Sequence, residues 1–199
     1  MRIACAILAA GASRRLGRPK QTLLHRGQPL VVAAAECACQ SRASACAVVV
    51  GAYGGAVREA LGDLPIEILD NDAWNEGVAS SIRVAVRWAR TRQCQALIIA
   101  LCDQPKLTAA HLDRLISEYE RTRLPVASFY ARKNAVPALF PCSSFDELSA
   151  LCGDVGASAL LNDGAPVASV PWPDGEFDVD TTDAERRLQS RGAALSSPK

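Results

Sequence analysis

The sequence predicts one α/β domain in three layers, with helices on both faces of a mostly parallel sheet. The first observation is a set of short, nearly continuous apolar runs at residues 3–9, 45–50 and 96–101, the pattern of strands buried on both faces. The second is that a predicted helix follows each run, and this alternation is typical of parallel sheets with crossover helices. The third is the length of 199 residues, for which a single domain with a sizeable core is the expected organisation.

Each further element has a local signal of its own. Pro29 suits the first turn of a helix over 29–41, and Thr108 is the predicted N-cap of a helix over 108–122. Ser144, with a glutamate three residues later, has the spacing of a capping box for a short helix. The remaining helices are expected over 56–61, near Ser80 or Ser81 onward, and over 184–190, and the remaining strands over 66–69, 125–130, 137–140 and 167–170.

Composition excludes several classes of protein. The charged fraction is 22% and the net charge at pH 7 is +1, so no broad basic surface for nucleic acid is expected. No apolar run approaches the roughly 20 residues of a membrane helix. The eight cysteines contain no Cys-x-x-Cys motif and lie mostly within apolar runs, where a free cysteine behaves as a small hydrophobe. These features predict a cytoplasmic protein without disulfides, nucleic-acid partner or membrane segment.

The ends of the chain have their own expectations. The apolar run over 3–12 resembles a short signal peptide, but cleavage after it would remove the first predicted strand. The folded domain is expected to span residues 1–192, with a nucleotide-binding N-terminal half and an acceptor-binding C-terminal half. Residues 193–199 are expected to form a flexible tail.

The loop after the first apolar run carries the main chemical signal. It reads Leu-Ala-Ala-Gly-Ala-Ser-Arg-Arg-Leu-Gly-Arg-Pro-Lys over residues 8–20. Its small residues let backbone N–H groups approach phosphates closely, and its three arginines and Lys20 supply positive charge for phosphate oxygens. The spacing is neither that of a Walker A loop nor that of a dinucleotide fingerprint. On these residues alone, an ordinary basic turn is an equal alternative.

The same loop resembles the Leu-Ala-Ala-Gly-x-Ser-x-Arg-x-Gly-x-x-Lys signature of nucleotidyltransferases, in particular the molybdopterin cytidylyltransferases that activate the molybdenum cofactor. The resemblance implies a Rossmann-like nucleotidyltransferase fold and covers nearly the whole chain. Every fixed position of the signature is met, by Leu8, Ala9, Ala10, Gly11, Ser13, Arg15, Gly17 and Lys20. All of these except Gly17 are then expected to bind the nucleotide, and Arg15 and Lys20 also to act in catalysis.

Two further segments match the same family. Gly77 and Ser81 match a Gly-x-x-x-Ser stretch that helps to hold the nucleotide, although helix capping alone would explain one serine. Asp103, in Leu-Cys-Asp-Gln-Pro, matches a metal-binding signature, and Asp180, in Asp-x-Asp-Thr, matches the second metal-binding element. The alternatives are a turn residue for Asp103 and an acidic helix N-terminus for Asp180. The resemblance implies that Asp103 and Asp180 hold Mg²⁺ and that Asp103 is catalytic.

Some positions depart from the family pattern. Relatives usually carry glycine where Arg132 and Ala135 stand, and commonly arginine where Ser158 stands. These changes lie on the acceptor side and leave the nucleotide-binding pattern complete. The two histidines, His25 and His111, receive no catalytic role.

The resemblance implies Mg²⁺-dependent transfer of CMP from CTP to a phosphate-bearing acceptor such as molybdopterin, with release of pyrophosphate. CTP is expected because cytidylyltransferase relatives carry alanine at the position of Ala10, where guanylyltransferases carry a second glycine. A molybdoenzyme is a possible partner. Two alternatives are a sugar-1-phosphate nucleotidyltransferase and a non-catalytic carrier of the molybdenum cofactor. A carrier would not need Lys20, Asp103 and Asp180, whereas a transferase would.

Overall fold

The computed structural model of the chain describes residues 1–13 and 17–176. Seven strands form one sheet in the order β5-β4-β1-β6-β8-β7-β9, and a separate pair, β2 and β3, forms a small hairpin. Strands occupy Ile3–Ala9 (β1), Leu24–His25 (β2), Gln28–Pro29 (β3), Ala45–Val50 (β4), Glu67–Asp70 (β5), Ala96–Leu101 (β6), Val126–Tyr130 (β7), Lys133–Pro141 (β8) and Ala168–Pro171 (β9). Helices occupy Leu30–Gln40 (α1), Gly54–Leu61 (α2), Val78–Thr91 (α3), Ala109–Thr122 (α4) and Phe145–Ala150 (α5).

The sheet is mostly parallel, as predicted. Strand β1 lies in its centre, pairs in parallel with β4 and β6, and is buried along its whole length. The β4–β5 and β7–β9 pairs are also parallel, whereas β8 runs antiparallel to both of its neighbours. Because alternate side chains of a strand point to opposite faces, β1 contributes to two cores. The layer on one face contains α1, α2 and α4, and the layer on the other contains α3 and α5. The predicted three-layer α/β/α fold is confirmed.

Two predictions about local structure are wrong. Strand β8 begins at Lys133 and forms a tight hairpin with β7, whose two turn residues, Ala131 and Arg132, have φ of 47° and 60°. The Ser144 side chain does not cap α5, because residues Cys142–Ser144 form a 3-10 turn that leaves Ser144 in a helical conformation. Helix α3 begins at Val78, and Ser80 and Ser81 lie within its first turn, which agrees with the prediction that they are near a helix start.

Other expectations have mixed outcomes. The Thr108 Oγ1 atom accepts a hydrogen bond from the His111 N–H at 3.2 Å, which confirms Thr108 as an N-cap. The helix predicted over 184–190 and the tail at 193–199 lie outside the described residues, so the expected domain limit at residue 192 stays a prediction. Within the described part of the chain, no helix combines the length and hydrophobicity needed to cross a bilayer. All eight cysteines are free thiols.

A buried polar cluster joins α4 to the far end of the sheet. The Ser128 hydroxyl donates to the Pro137 carbonyl oxygen at 2.5 Å and therefore accepts from His111 Nε2 at 2.7 Å. Arg114 donates to His111 Nδ1 at 2.9 Å, and the imidazole stacks on Trp172 with ring centroids 4.7 Å apart. In the neutral imidazole, each ring nitrogen therefore has a hydrogen-bond partner. Burial, and then the charge of Arg114, lower the pKa of His111 from 6.5 to about 4.

Candidate active site

A cavity of about 450 Å³ lies where the carboxyl ends of β1 and β6 meet the start of α3. This edge of a parallel sheet is where open α/β folds place their ligands, and the volume is within the usual range for small-molecule sites. Of the residues predicted to bind the nucleotide, the cavity wall includes Leu8, Ala10, Gly11, Lys20, Gly77 and Ser81, and it also includes Asp103, which was predicted to hold the metal. The motifs that the sequence separates by up to 95 positions are therefore brought to one site.

Lys20 and Asp103 meet at the sheet end of this cavity. The Lys20 Nζ atom forms a salt bridge with Asp103 Oδ2, and the side chains are 21% and 7% exposed. Asp103 is the second residue after the end of β6, whereas Lys20 reaches the site from a 3-10 turn over Lys20–Thr22. A lysine that faces a nearly buried carboxylate and an open cavity provides a movable positive charge for an anionic ligand.

The second oxygen of Asp103 bears on the question of a metal. Asp103 Oδ1 is buried and has no hydrogen-bond partner among the described residues, although buried polar atoms are normally satisfied. Mg²⁺ is usually held by one or two carboxylates together with substrate phosphates and waters. The donor set present therefore fits such an ion. Within residues 1–13 and 17–176, no cluster of three or more potential metal-ligating side chains is found, and Asp180 lies outside these ranges.

Gln21 holds the loop after β1, which forms part of the cavity wall. Its amide nitrogen donates to the carbonyl oxygens of Ala9 at 3.0 Å and Gly11 at 2.7 Å, and its side chain is fully buried. Its amide oxygen accepts from Ser13 Oγ at 3.4 Å, and the same hydroxyl oxygen accepts from the Lys20 backbone N–H at 3.0 Å. One side chain thus connects the end of β1, the loop and the segment that carries the lysine.

A second network fixes the start of α3. The amide nitrogen of Asn71 donates to Ser80 Oγ at 2.8 Å and to Ser81 Oγ at 3.0 Å. The Ser80 hydroxyl donates a hydrogen bond to the Gly77 carbonyl oxygen at 2.7 Å. Ser81 has no such acceptor among the described residues, and it lines the cavity. Ser81 is therefore set as a hydrogen-bond donor toward a ligand.

Gly77 lies where the start of α3 packs against the loop after α5. It has φ of +108°, and a Cβ atom there would lie 2.6 Å from Asp154 Oδ1 and closer still to the carbonyl group of Gly153. The Ala79 N–H donates to the Gly153 carbonyl oxygen at 3.1 Å. The absence of a side chain therefore lets the loop after α5 seat on the start of α3, with Asp154 on the cavity wall.

Ala10, Gly51 and Trp74 pack together at another part of the wall. A Cβ atom at Gly51 would lie 2.9 Å from the Ala10 methyl carbon and 2.7 Å from Trp74 Cβ. Both Ala10 and Trp74 line the cavity, so the methyl group of Ala10 occupies space that a glycine would leave open.

Not every predicted residue reaches the cavity. Ala9 is buried behind the cavity wall. Ser13 stabilises the loop instead, through its hydrogen bonds with the Lys20 N–H and with Gln21. Arg15 and Asp180 lie outside the described residues, so their predicted roles stay predictions. Cys102 lies on the wall, but burial, and then the Asp103 charge, raise the pKa of its thiol to about 12. It therefore stays protonated and is a poor nucleophile.

Several site residues were missed by reasoning from the sequence. Trp74 and Asn75 line the cavity just before the Gly-x-x-x-Ser match, and Asp154 lies within a Gly-Asp-x-Gly-Ala segment that could have indicated it. Gln21 and Asn71 had no signal of spacing or motif. Their importance depends on contacts that form only after the chain has folded.

Comparison with known proteins adds to this geometry. Residues 5–168 match the family described as the MobA-like NTP transferase domain. The chain is 28% identical to the molybdenum cofactor guanylyltransferase of Rhodobacter capsulatus over 197 residues, which are 96% of this chain and 97% of that protein. It is 35% identical to the nicotine blue oxidoreductase of Paenarthrobacter nicotinovorans over 124 residues, which are 62% of this chain and 60% of that protein.

A solved structure agrees with these matches over nearly the full chain. The crystal structure of Rv0371c from Mycobacterium tuberculosis H37Rv superposes with a TM-score of 0.84 at 32% identity, covering 96% of this chain and 98% of that one. The family match spans well over half of the sequence and includes both β1 and the Asp103 segment. The resemblance drawn from the loop signature is thereby confirmed, and the chain belongs to the MobA-like NTP transferase family as a nucleotidyltransferase.

Proposed function

We propose that this nucleotidyltransferase transfers CMP from CTP to a phosphate-bearing acceptor of the molybdopterin type and releases pyrophosphate, in a Mg²⁺-dependent reaction. The observation that carries the proposal is the meeting of Lys20 with a carboxylate whose second oxygen is unpartnered, in a cavity lined by the small residues Gly11 and Ala12. A triphosphate needs this combination of positive charge, close backbone approach and metal-binding oxygen.

The acceptor needs little chemical activation by the protein. A phosphate monoester has its second pKa near 6 and is largely ionised at neutral pH, so its oxygen attacks the α-phosphorus without a protein base. The remaining task is to position the two phosphate groups and to neutralise charge. Lys20, together with Arg15, is proposed to hold the triphosphate as negative charge moves to the leaving pyrophosphate.

Asp103 and Asp180 are proposed to hold the metal ion. Mg²⁺ held there would supply charge neutralisation at phosphate oxygens. Lys20 forms a salt bridge with Asp103 Oδ2, and its ammonium group would turn toward the phosphates when the nucleotide binds. The salt bridge keeps the nearly buried carboxylate compensated until then.

The choice of base rests on Ala10. Its methyl group lies beside Gly51 and Trp74, and both Ala10 and Trp74 line the cavity. We propose that this methyl group takes space in the base pocket, which would favour a pyrimidine over the larger purine. The relative named a molybdenum cofactor guanylyltransferase favours GTP instead. The methyl group belongs to this chain's own cavity, and we therefore place CTP first and GTP second.

The acceptor is proposed to be molybdopterin, since the R. capsulatus relative is named for the molybdenum cofactor. A molybdoenzyme is then the proposed recipient of the product, in the cytoplasm. A sugar 1-phosphate is the alternative acceptor, because it offers the same phosphate monoester. A carrier without catalysis is the third possibility, and the Lys20–Asp103 pair opposes it.

Pyrophosphate release, measured with each of the four nucleoside triphosphates, tests the proposal. Each reaction is run with molybdopterin, with a panel of sugar 1-phosphates and without acceptor. The expected result is release that needs CTP, Mg²⁺ and molybdopterin. Release with GTP would overturn the base, and release with a sugar 1-phosphate would overturn the acceptor. Binding of molybdopterin with no release from any nucleotide would support the carrier.

A further inference from the structure

We propose that Gln21 is a positioning residue for phosphate binding, which sets the direction of the backbone N–H groups in the loop that lines the cavity. This inference rests on the proposed function, because it assumes that the loop faces the phosphates of a nucleotide. Gln21 touches neither the cavity nor Asp103. It acts through the two carbonyl groups that it holds.

The hydrogen bonds of the Gln21 amide orient the carbonyl groups of the loop. Gln21 Nε2 carries two protons, and they go to the carbonyl oxygens of Ala9 and Gly11, at 3.0 and 2.7 Å. The carbonyl between them, that of Ala10, accepts from the Ala52 N–H at 3.1 Å. Three successive carbonyl oxygens are therefore turned toward protein donors and away from the cavity, where they would repel an anion.

The N–H groups of the loop lie on the opposite side of these peptide units. A trans peptide is planar, so the N–H of one residue points away from the carbonyl of the residue before it. Since the Gly11 carbonyl points at the buried Gln21, the Ala12 N–H points to the other side of the loop. Among the described residues, neither Gly11 nor Ala12 has an acceptor for its N–H, and both residues line the cavity. These are free donors for an anionic ligand.

The Gln21 amide in turn depends on these contacts with the loop. Gln21 is fully buried, and burial of an amide without hydrogen bonds is costly. Its oxygen accepts from Ser13 Oγ, which also accepts from the Lys20 N–H. The loop and the amide therefore hold each other in one arrangement, and Lys20 is held in the same network. Preorganised donors of this kind need no rearrangement when the anion arrives.

Replacement of Gln21 by methionine tests the proposal, since methionine has a similar length and no N–H groups. Inorganic tripolyphosphate is the probe, because it carries the phosphates without a base, and its affinity is measured by titration calorimetry beside that of CTP and GTP. We expect Gln21→Met to weaken tripolyphosphate and nucleotide binding in parallel, by ten- to a hundredfold, with KM rising more than kcat falls. Gln21→Glu, which places a carboxylate against two carbonyl oxygens, should weaken binding further.

A loss of stability alone would not produce this pattern. Ser128→Ala is the matched control, because it removes a fully buried polar group far from the loop and should lower the unfolding temperature without changing affinity for tripolyphosphate. A Gln21→Met variant whose affinity for tripolyphosphate is within threefold of that of the native protein would overturn the role of Gln21. Native protein that binds no nucleotide would overturn the proposed function as well, so the two failures are distinguishable.

The native protein offers a second measurement that requires no variant to fold. In an amide NMR spectrum, addition of tripolyphosphate should shift the Gly11 and Ala12 N–H resonances downfield, as expected for N–H groups that donate to an anion. The Gln21 side-chain NH₂ protons should exchange slowly before and after the addition. Unchanged Gly11 and Ala12 resonances at saturating tripolyphosphate would overturn the inference, whatever the variants do.

Discussion

Acidification should destabilise this protein through His111, whose imidazole is buried against Trp172. In the neutral ring, Nε2–H donates to Ser128 and Nδ1 accepts from Arg114. Protonation would place a second N–H opposite the Arg114 guanidinium, donor against donor and charge against like charge. This is the physical meaning of the lowered pKa of His111, which burial and Arg114 bring from 6.5 to about 4.

The sign of the pH dependence follows from that lowered pKa. Between pH 6.5 and pH 4 the unfolded chain binds a proton at His111 that the folded protein does not bind, so stability rises with pH across this window. The contribution is present above pH 6.5 and is lost as the pH falls toward 4. One pKa unit corresponds to about 1.4 kcal/mol. The linkage relation then gives a loss of about 2 kcal/mol between pH 7.5 and pH 5.

Urea unfolding at these two pH values, on the native protein and on His111→Gln, measures the effect. The variant has no titrating ring at this position, so its stability should fall by about 2 kcal/mol less than that of the native protein. His25, whose pKa is also lowered by burial and by Arg26 and Lys106, is common to both proteins and cancels in the comparison. Equal losses in the two proteins, or an NMR titration that places the His111 pKa near 6.5, would refute the reasoning.

Three further predictions concern the cavity. Ala10→Gly should remove the methyl group beside Gly51 and raise kcat/KM for GTP relative to CTP by at least about tenfold, and a competition assay with an unchanged ratio would contradict the assignment of the base. Asp103→Asn should lower turnover by orders of magnitude while its circular dichroism spectrum stays native. Asp63→Asn, at an exposed position, serves as the control and should keep full activity. A fully active Asp103→Asn variant would show that Asp103 is not part of the metal site. Lys20→Ala should cost about 2–5 kcal/mol of transition-state stabilisation, the range for one partner of a desolvated charge pair, and should affect kcat as well as KM. A kcat/KM within a factor of about three of the native value would exclude Lys20 from the site.

The central strands could be predicted from the sequence because their burial is visible in composition alone. The runs over 3–9, 45–50 and 96–101 coincide with β1, β4 and β6, since a strand that is buried on both faces needs apolar residues at every position. The start of β8 could not be predicted in this way. Its first residues pair with β7 through a turn at Ala131 and Arg132, which adopt left-handed φ values without the glycine or asparagine that usually indicates them.

The same distinction applies to the site. Lys20 and Asp103 were predicted because each lies in a motif, and parallel strands bring motifs at their carboxyl ends together. Gln21 was not predicted, since a glutamine beside a lysine has no characteristic spacing. Its role requires the chain to return 12 residues later to the carbonyl of Ala9. Local sequence patterns therefore indicate the residues that contact a ligand. They do not indicate the residues that hold the contacting residues in position.

The close seating of Gly153 against Gly77 has a consequence for the modularity of this chain. The first 80 or so residues carry the loop and Ser81, and the segment around Asp154 approaches them from the other half. In a chimera of this N-terminal half with the C-terminal half of a relative, the point of fusion can be chosen freely. The packing at position 77 cannot, because any side chain there would collide with the loop after α5 and separate the two halves of the cavity.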